Sequence, residues 1–145
     1  MYKRILLPTD GSDGSLRAIR HGVDFARTLG AEVLVLTATP EFHTYTADAA
    51  MLELTRDDYE QASAAQAARL LDEAASVARG AGVLCASVHV VSDHPYEAII
   101  DTARERRCDL IVMATHGRRG IKGLLLGSET QKVLVHSTVP VMVYR

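Results

Sequence analysis

The sequence has few of the features that stabilise small secreted proteins or anchor proteins in membranes. It has two cysteines, Cys85 and Cys108, with no Cys-x-x-Cys pair and no cysteine–histidine cluster at zinc spacing. No apolar run approaches the length of a membrane helix, and the short apolar stretch before Pro8 is too brief for the core of a signal peptide. We therefore expect a soluble cytoplasmic protein with two buried, reduced thiols.

The chain also lacks a large excess of positive or negative charge. The chain has 16 basic and 18 acidic residues and a net charge of -2, which argues against binding to nucleic acid as a general polyanion. Its 145 residues, 48% of them hydrophobic, suit one domain spanning 1–145. At this size folding buries roughly 68 to 70% of the extended chain's surface, so no disulfide or metal is needed to hold the core.

Acidic residues are missing from one stretch, between Asp109 and Glu129. The same stretch contains three basic residues and four of the ten glycines: Arg118, Arg119, Lys122, Gly117, Gly120, Gly123 and Gly127. Glycine lets backbone N–H groups approach an anion closely, so the pattern suits a phosphate. A solvated surface loop explains it equally well, and charge and glycine content alone do not separate the two.

Strands and helices alternate along the chain. The patterns predict five strands, at Arg4 to Pro8, Glu32 to Thr39, Val83 to Val91, Leu110 to Ala114 and Val139 to Tyr144. They predict four helices, from Leu16 to Gly30, from Ala62 to Ala78, from Pro95 through Ala103, and from Ser128 through Leu134. This alternation predicts a doubly wound α/β fold, with a mostly parallel sheet and helices on both faces.

Two segments follow strands and carry polar or glycine residues: Pro8 to Ser12 after the first strand, and Thr115 to Ser128 after the fourth. Sheets of this kind bind ligands beyond the carboxyl ends of their strands, where the strand order reverses. If the first and fourth strands are neighbours, the two segments face one crevice.

Several catalytic and nucleotide motifs are absent, namely GxxxxGK[ST], GxGxxG, GxSxG and HExxH. Thr115 and His116 are adjacent, but neighbouring residues at a strand end point in opposite directions. His21, His89 and His136 have no partners at ligand spacing, which favours packing roles. We predict no catalytic residue and no protein metal ligand.

Three features allow two interpretations each. Asp10 either caps the first helix or contacts a ligand. Because a carboxylate repels phosphate, it would then accept hydrogen bonds at the nucleoside end or bind a metal. Ser128 and Gln131 match a Ser-x-x-Gln capping box, which leaves other N–H groups of that helix free for an anion. The long connection from Pro40 to Asp58, with His43 and Tyr45, is either a lid or a mobile loop.

At this point the residues resemble the universal stress protein family over nearly the whole chain. The matching segments are RILLPTDGS at the start, LIVMATHGR in the centre, LGS at Leu126 to Ser128, and VPV at Val139 to Val141. The resemblance implies a five-stranded parallel sheet in the order 3-2-1-4-5 and a homodimer formed through the last strand, from Val139 to Tyr144. An apolar edge strand there suits such pairing.

The resemblance also implies an ATP site with the motif Gly-x2-Gly-x9-Gly-[Ser/Thr]. Gly117, Gly127 and Ser128 fill the later positions, and Ala114 stands at the first glycine. A positive φ at Ala114 would cost roughly 1 to 2 kcal/mol, whereas a negative φ adds only a methyl group near the ligand. The implied contacts are Pro8, Thr9, Asp10 and Ala38 at the nucleoside, Met113 and Ala114 at the ribose, and Gly117, Arg118, Gly127, Ser128, Glu129 and Thr130 at the phosphates.

We therefore expect a regulatory protein that binds ATP, with Mg²⁺ accompanying its phosphates, and we expect hydrolysis to be slow or absent. The residues do not choose between ATP, ADP and AMP. Two alternatives remain: a dimeric interaction module that has lost nucleotide binding, marked by Ala114, and a nucleotide-hydrolysing enzyme.

Overall fold

The computed structural model describes residues 1–43, 49–117 and 126–145, and only the backbone of 49–54. The described residues form five strands and four helices in alternation: β1 (Arg4–Pro8), α1 (Asp13–Leu29), β2 (Glu32–Thr39), α2 (Ala49–Gly80), β3 (Cys85–Val91), α3 (Pro95–Glu105), β4 (Leu110–Ala114), α4 (Ser128–His136) and β5 (Val141–Tyr144). Within that part of the chain, no helix combines the length and the apolar character needed to cross a membrane.

The strands form one parallel sheet in the order β3-β2-β1-β4-β5, so the predicted architecture and strand order are confirmed. β1 lies in the centre, where Leu6 pairs with Leu34 of β2 and with Ile111 of β4. The chain winds outward from β1 to β3 on one side and then crosses to β4 and β5 on the other. The strand order therefore reverses between β1 and β4, as the predicted crevice requires.

Alternation along β1 divides the core between the two faces of the sheet. Ile5 and Leu7 join a buried cluster with residues of α1 and α2, whereas Leu6 joins a second cluster with residues of α3 and α4. All five residues of β4 are buried, which explains why that strand is an almost uninterrupted apolar run. Helices cover both faces, as predicted.

Several helix and strand boundaries in the structure differ from the predicted ones. α2 begins at Ala49, so a loop over the whole of Pro40 to Asp58 is wrong, because good helix formers continue upstream of the alanine-rich stretch. Tyr45 lies outside the described residues. β3 begins at Cys85 and β5 at Val141, each two residues after the prediction.

The two cysteines differ in environment. Cys108 is buried, and its burial raises the pKa of the thiol to about 11. Cys85 is only partly buried, on the edge strand β3, although desolvation also raises the pKa of its thiol. The prediction of two buried thiols therefore holds for Cys108 alone, because an edge strand leaves part of each side chain open to solvent.

Gly22 sets how closely α1 packs on β1. A Cβ atom at Gly22 would lie 2.5 Å from Cδ2 of Leu7, a side chain with no exposed surface. We expect Gly22→Ala to lower the free energy of unfolding by about 1 kcal/mol or more, since overpacking outweighs the gain in helix propensity. The midpoint temperature of thermal unfolding should then fall by about 2 to 4 °C.

Gly80→Ala is the matched control, because Gly80 also lies in a helix and a Cβ atom there would have no neighbour within 4 Å. We expect this variant to unfold at the wild-type temperature or slightly above it. Equal stability of the two variants would contradict the packing argument.

Candidate functional site

The carboxyl ends of β1 and β4 lie side by side, since these strands are neighbours in the sheet. Pro8 ends β1, and the N–H of Thr9 donates to the carbonyl of Leu36 in β2 at 2.8 Å. Ala38, near the end of β2, is partly buried at the same edge of the sheet. The structure thus brings the predicted nucleoside-side residues to one edge, beside Met113 and Ala114 at the end of β4.

Asp10 lies against Gly117. A Cβ atom at Gly117 would collide with Oδ2 of Asp10, so a side chain at residue 117 would have to displace this carboxylate. The other carboxylate oxygen, Oδ1, accepts a hydrogen bond from the N–H of Ser12 at 2.9 Å. The segments after β1 and β4 therefore meet, as their positions in the chain predict.

Asp10 does not cap α1. The N-cap is Ser12, whose hydroxyl oxygen accepts from the N–H of Ser15 at 3.2 Å. Thr9 is also directed into this turn: its buried hydroxyl oxygen accepts from the N–H of Gly11 and lies 3.2 Å from Oγ of Ser15. The helix-cap interpretation of Asp10 is therefore wrong, because Ser12 stands closer to the first helical turn.

Gly127 is the N-cap of α4, and it packs directly on the chain that follows β4. Its N–H donates to the carbonyl of Thr115 at 2.6 Å. A Cβ atom there would lie 3.3 Å from that carbonyl oxygen and 3.4 Å from Cα of His116. A side chain at residue 127 would therefore push these two segments apart.

The predicted capping box at Ser128 is wrong. Ser128 is the first residue of the helix, and the N-cap Gly127 has no side chain to cap it. The side-chain amide of Gln131 donates instead to the carbonyl of Leu126 at 3.0 Å. The first N–H groups of α4 therefore receive no side-chain cap from their own N-cap residue, and they carry the partial positive charge of the helix N-terminus.

Glu129 is acidic but directs its charge away from this helix end. Its Oε2 accepts from the N–H of Tyr96 in the first turn of α3 at 2.9 Å, and its Oε1 lies 3.5 Å from Nζ of Lys132. α3 has no side-chain cap from its own N-cap residue, His94. The carboxylate of Glu129 therefore stabilises the N-terminus of α3.

Thr130 and Ala114 connect α4 to β4. The buried hydroxyl of Thr130 donates to the carbonyl of Ala114 at 2.9 Å. Ala114 lies in a regular strand, and Arg107 is the one non-glycine residue with a positive φ in the described part of the chain. The strain considered for Ala114 is therefore absent. A Cβ atom placed on Gly14 would lie only 3.8 Å from the Cβ atom of Ala114. The methyl group of Ala114 therefore packs on the first turn of α1.

Thr115 and His116 do not point in opposite directions, contrary to the sequence argument. Nδ1 of His116 lies 3.1 Å from Oγ1 of Thr115, because β4 ends at Ala114 and strand alternation no longer applies. Nε2 of His116 is buried and has no hydrogen-bond partner among residues 1–43, 49–117 and 126–145.

Arg118 and most of the basic, glycine-rich stretch (118–125) lie outside the described residues. The charge that suggested a phosphate site therefore stays a prediction, whereas the two glycines that flank the stretch, Gly117 and Gly127, lie at the crevice.

Sequence reasoning missed one group of possible metal ligands. Glu41, His43 and Asp93 each offer a ligand atom, and these atoms lie within 4.8 Å of one another. No local pattern indicates this group, because Asp93 is 50 positions away from His43.

The role of Glu129 predicts a stability effect. We expect Glu129→Ala to lower the free energy of unfolding by about 0.5 to 2 kcal/mol, which is the range for loss of a helix cap. Urea denaturation measures this loss. Glu129→Gln keeps an oxygen that can accept from the N–H of Tyr96, so it should lose distinctly less. Equal losses in the two variants would contradict the capping role.

Comparison with known proteins agrees with this architecture. The sequence model described as "Universal stress protein family" matches residues 1–145. A universal stress protein of Thermus aquaticus is 33% identical over 145 residues, which is the whole of both chains. The solved structure of the protein MJ0577 from Methanocaldococcus jannaschii superposes with a TM-score of 0.85 at 29% identity, covering 99% of this chain and 95% of that one.

A further solved structure, a universal stress protein in complex with cAMP, is 31% identical with a TM-score of 0.73. The match covers 99% of this chain and 97% of that chain. With a family match over all 145 residues and relatives of the same length and fold, the chain belongs to the universal stress protein family.

Proposed function

We propose that this protein binds an adenine nucleotide, with ATP as the favoured ligand, in the crevice between the carboxyl ends of β1 and β4. The observation that carries the proposal is the N-terminus of α4, where Gly127 provides no side-chain cap and packs on the segment that ends at Gly117. A helix end of this kind favours phosphate, because its N–H groups and its dipole both attract an anion.

The charges around the crevice favour one orientation of the ligand. The phosphates belong near Gly117, Gly127, Ser128 and Thr130, with Arg118 as a predicted further contact. The side chain of Glu129 is held by the N–H of Tyr96, so only its backbone N–H would serve the phosphates. The carboxylate of Asp10 would repel phosphate, so we assign it to the nucleoside end.

The remaining contacts belong to the nucleoside. Pro8, Thr9 and Ala38 would border the base, and Met113 and Ala114 the ribose. Because the hydroxyl of Thr9 is already engaged with Gly11 and Ser15, we propose that Thr9 contributes its backbone. The related structure with bound cAMP supports an adenine nucleotide as the ligand class.

Mg²⁺ would accompany the phosphates and neutralise part of their charge, keeping most of its own water ligands. We assign it no dedicated protein ligand. The described part of the phosphate end is formed largely by backbone N–H groups, which bind anions rather than cations.

We further propose that the domain at 1–145 is regulatory and cytoplasmic, with nucleotide occupancy rather than turnover as its output. Its free thiols suit a reducing compartment. Turnover near 1 per second that is lost on substitution of Gly117 would contradict this proposal and favour the enzyme alternative.

Nucleotide binding is tested by thermal unfolding with and without ATP and Mg²⁺. At about 100 times Kd, ATP should add roughly 2.7 kcal/mol to the free energy of unfolding, a rise on the order of 5 to 10 °C. Gly127→Ala should weaken binding on the order of tenfold, because its Cβ atom must displace the carbonyl of Thr115.

Gly80→Ala is the matched control, since Gly80 lies outside the proposed site and a Cβ atom there has no neighbour within 4 Å. It should leave ATP affinity unchanged. No shift at millimolar ATP would refute nucleotide binding and favour the interaction module. Equal loss of affinity in Gly80→Ala and Gly127→Ala would contradict the role assigned to Gly127.

We also propose a homodimer formed through the last strand, from Val139 to Tyr144. β5 is an edge strand, and Met142 on it is 39% exposed. Val135 on α4, which packs beside β5, is 75% exposed. An open strand edge with apolar side chains around it favours pairing with a second copy.

Light scattering coupled to size-exclusion chromatography checks the dimer. Met142→Glu should shift the mass from about twice 15.7 kDa toward 15.7 kDa, because a charge would be buried at the interface. Leu84→Glu is the control: Leu84 is 77% exposed but lies beside the opposite edge strand, β3. A wild-type monomer, or dissociation by both variants, would contradict the proposed interface.

A further inference from the structure

A group of potential metal ligands lies where the chain leaves β2 and β3. Nε2 of His43 and Oδ2 of Asp93 are 2.5 Å apart, and a carboxylate oxygen of Glu41 completes a set of three atoms within 4.8 Å of one another. All three residues are exposed, so an ion could reach the group directly from solvent. The group does not include any residue of the proposed nucleotide site.

The backbone around this group is held in place by the sheet. Thr39 pairs with Val91 at the last position of the ladder between β2 and β3, and the N–H of Ser92 donates to the carbonyl of Thr39 at 2.8 Å. Asp93 follows directly. The segments that carry the three ligands therefore begin from paired strands and do not meet by chance in a long loop.

Asp93 is oriented by a second hydrogen bond. The N–H of Glu41 donates to Oδ1 of Asp93 at 3.0 Å, which turns the other oxygen, Oδ2, toward His43. Contacts of this kind around a metal ligand fix its direction and raise affinity.

We propose that Glu41, His43 and Asp93 form a binding site for one Zn²⁺-type divalent transition metal ion. Zn²⁺ accepts both imidazole nitrogen and carboxylate oxygen as ligands, and three protein ligands leave a fourth tetrahedral position for water. The nitrogen disfavours Mg²⁺ and Ca²⁺, which prefer oxygen ligands throughout.

The geometry needs only a small adjustment. With metal–ligand bonds of about 2.0 to 2.2 Å, tetrahedral ligands lie roughly 3.4 Å from one another. Oδ2 of Asp93 and Nε2 of His43 must therefore separate by about 1 Å as the ion replaces their hydrogen bond. The exposed side chains of Glu41 and His43 have the freedom to do this.

The competing interpretation is an ion pair that holds the two segments together without a metal. His43 and Asp93 already meet the distance criterion for such a pair, and exposed pairs of this kind contribute little to stability. The two interpretations differ in one observable, saturable binding of zinc that depends on these side chains.

The test is a titration of ZnCl2 into protein stripped of metal and of nucleotide, in competition with a chromophoric zinc chelator. Nucleotide is removed because its phosphates also bind zinc, and this keeps the result independent of the proposed ATP site. We expect one ion per chain. His43→Ala and Asp93→Asn should each weaken binding about tenfold or more, and millimolar Mg²⁺ should not displace the zinc.

His94→Ala is the matched control, since His94 is an exposed histidine next to Asp93 that lies outside the three-ligand group. It should bind zinc within about twofold of wild type, and far-UV circular dichroism should be the same for all variants. The proposal is overturned if wild type shows no saturable binding, if His43→Ala or Asp93→Asn binds as tightly as wild type, or if His94→Ala loses binding as they do.

Discussion

The pairing of β1 with β4 in the middle of the sheet is the constraint on which the candidate site depends. It makes neighbours of two strands that are more than 100 positions apart, and it brings together the segments that follow them. Contact between those segments then depends on glycine. Gly117 leaves room for the carboxylate of Asp10, and Gly127 leaves room for the carbonyl of Thr115.

Electrostatics in the crevice depend on where acidic side chains point. A glutamate in the first turn of α4 would oppose an anion if it faced the helix end. Glu129 instead caps a different helix through the N–H of Tyr96, so its charge stabilises α3 and is directed away from the N-terminus of α4. This arrangement reconciles an acidic residue at position 129 with the proposed phosphate site.

Much of the fold was predictable because its signals are local. The buried runs of β1, β2 and β4 and the glycine after α1 define elements within short windows, and alternation then predicts a parallel sheet. Boundaries were harder where several residues suit a helix, as at the start of α2. The capping box at Ser128 failed because Gly127, one residue earlier, is the N-cap.

Contacts between distant residues could not be predicted. Nothing near Glu129 in the sequence points to Tyr96, and nothing near His43 points to Asp93. The direction of the Ala114 methyl group also required the structure, because it depends on Gly14 in α1. The glycines of the site were predictable as residues, but the partners that make them necessary were not.

We propose that an adenine nucleotide occupies the crevice at the carboxyl ends of β1 and β4. A basic cavity of about 590 Å³ lies at the opposite edge of the sheet, lined by Lys3, Arg27 and Arg107 among others, and it is the competing place for an anion. Amide chemical shifts of ¹⁵N-labelled protein during an ATP titration separate the two. We expect shifts at Asp10, Gly117 and 127–130. Shifts confined to the basic cavity, or no shifts at all, would exclude nucleotide binding in the crevice.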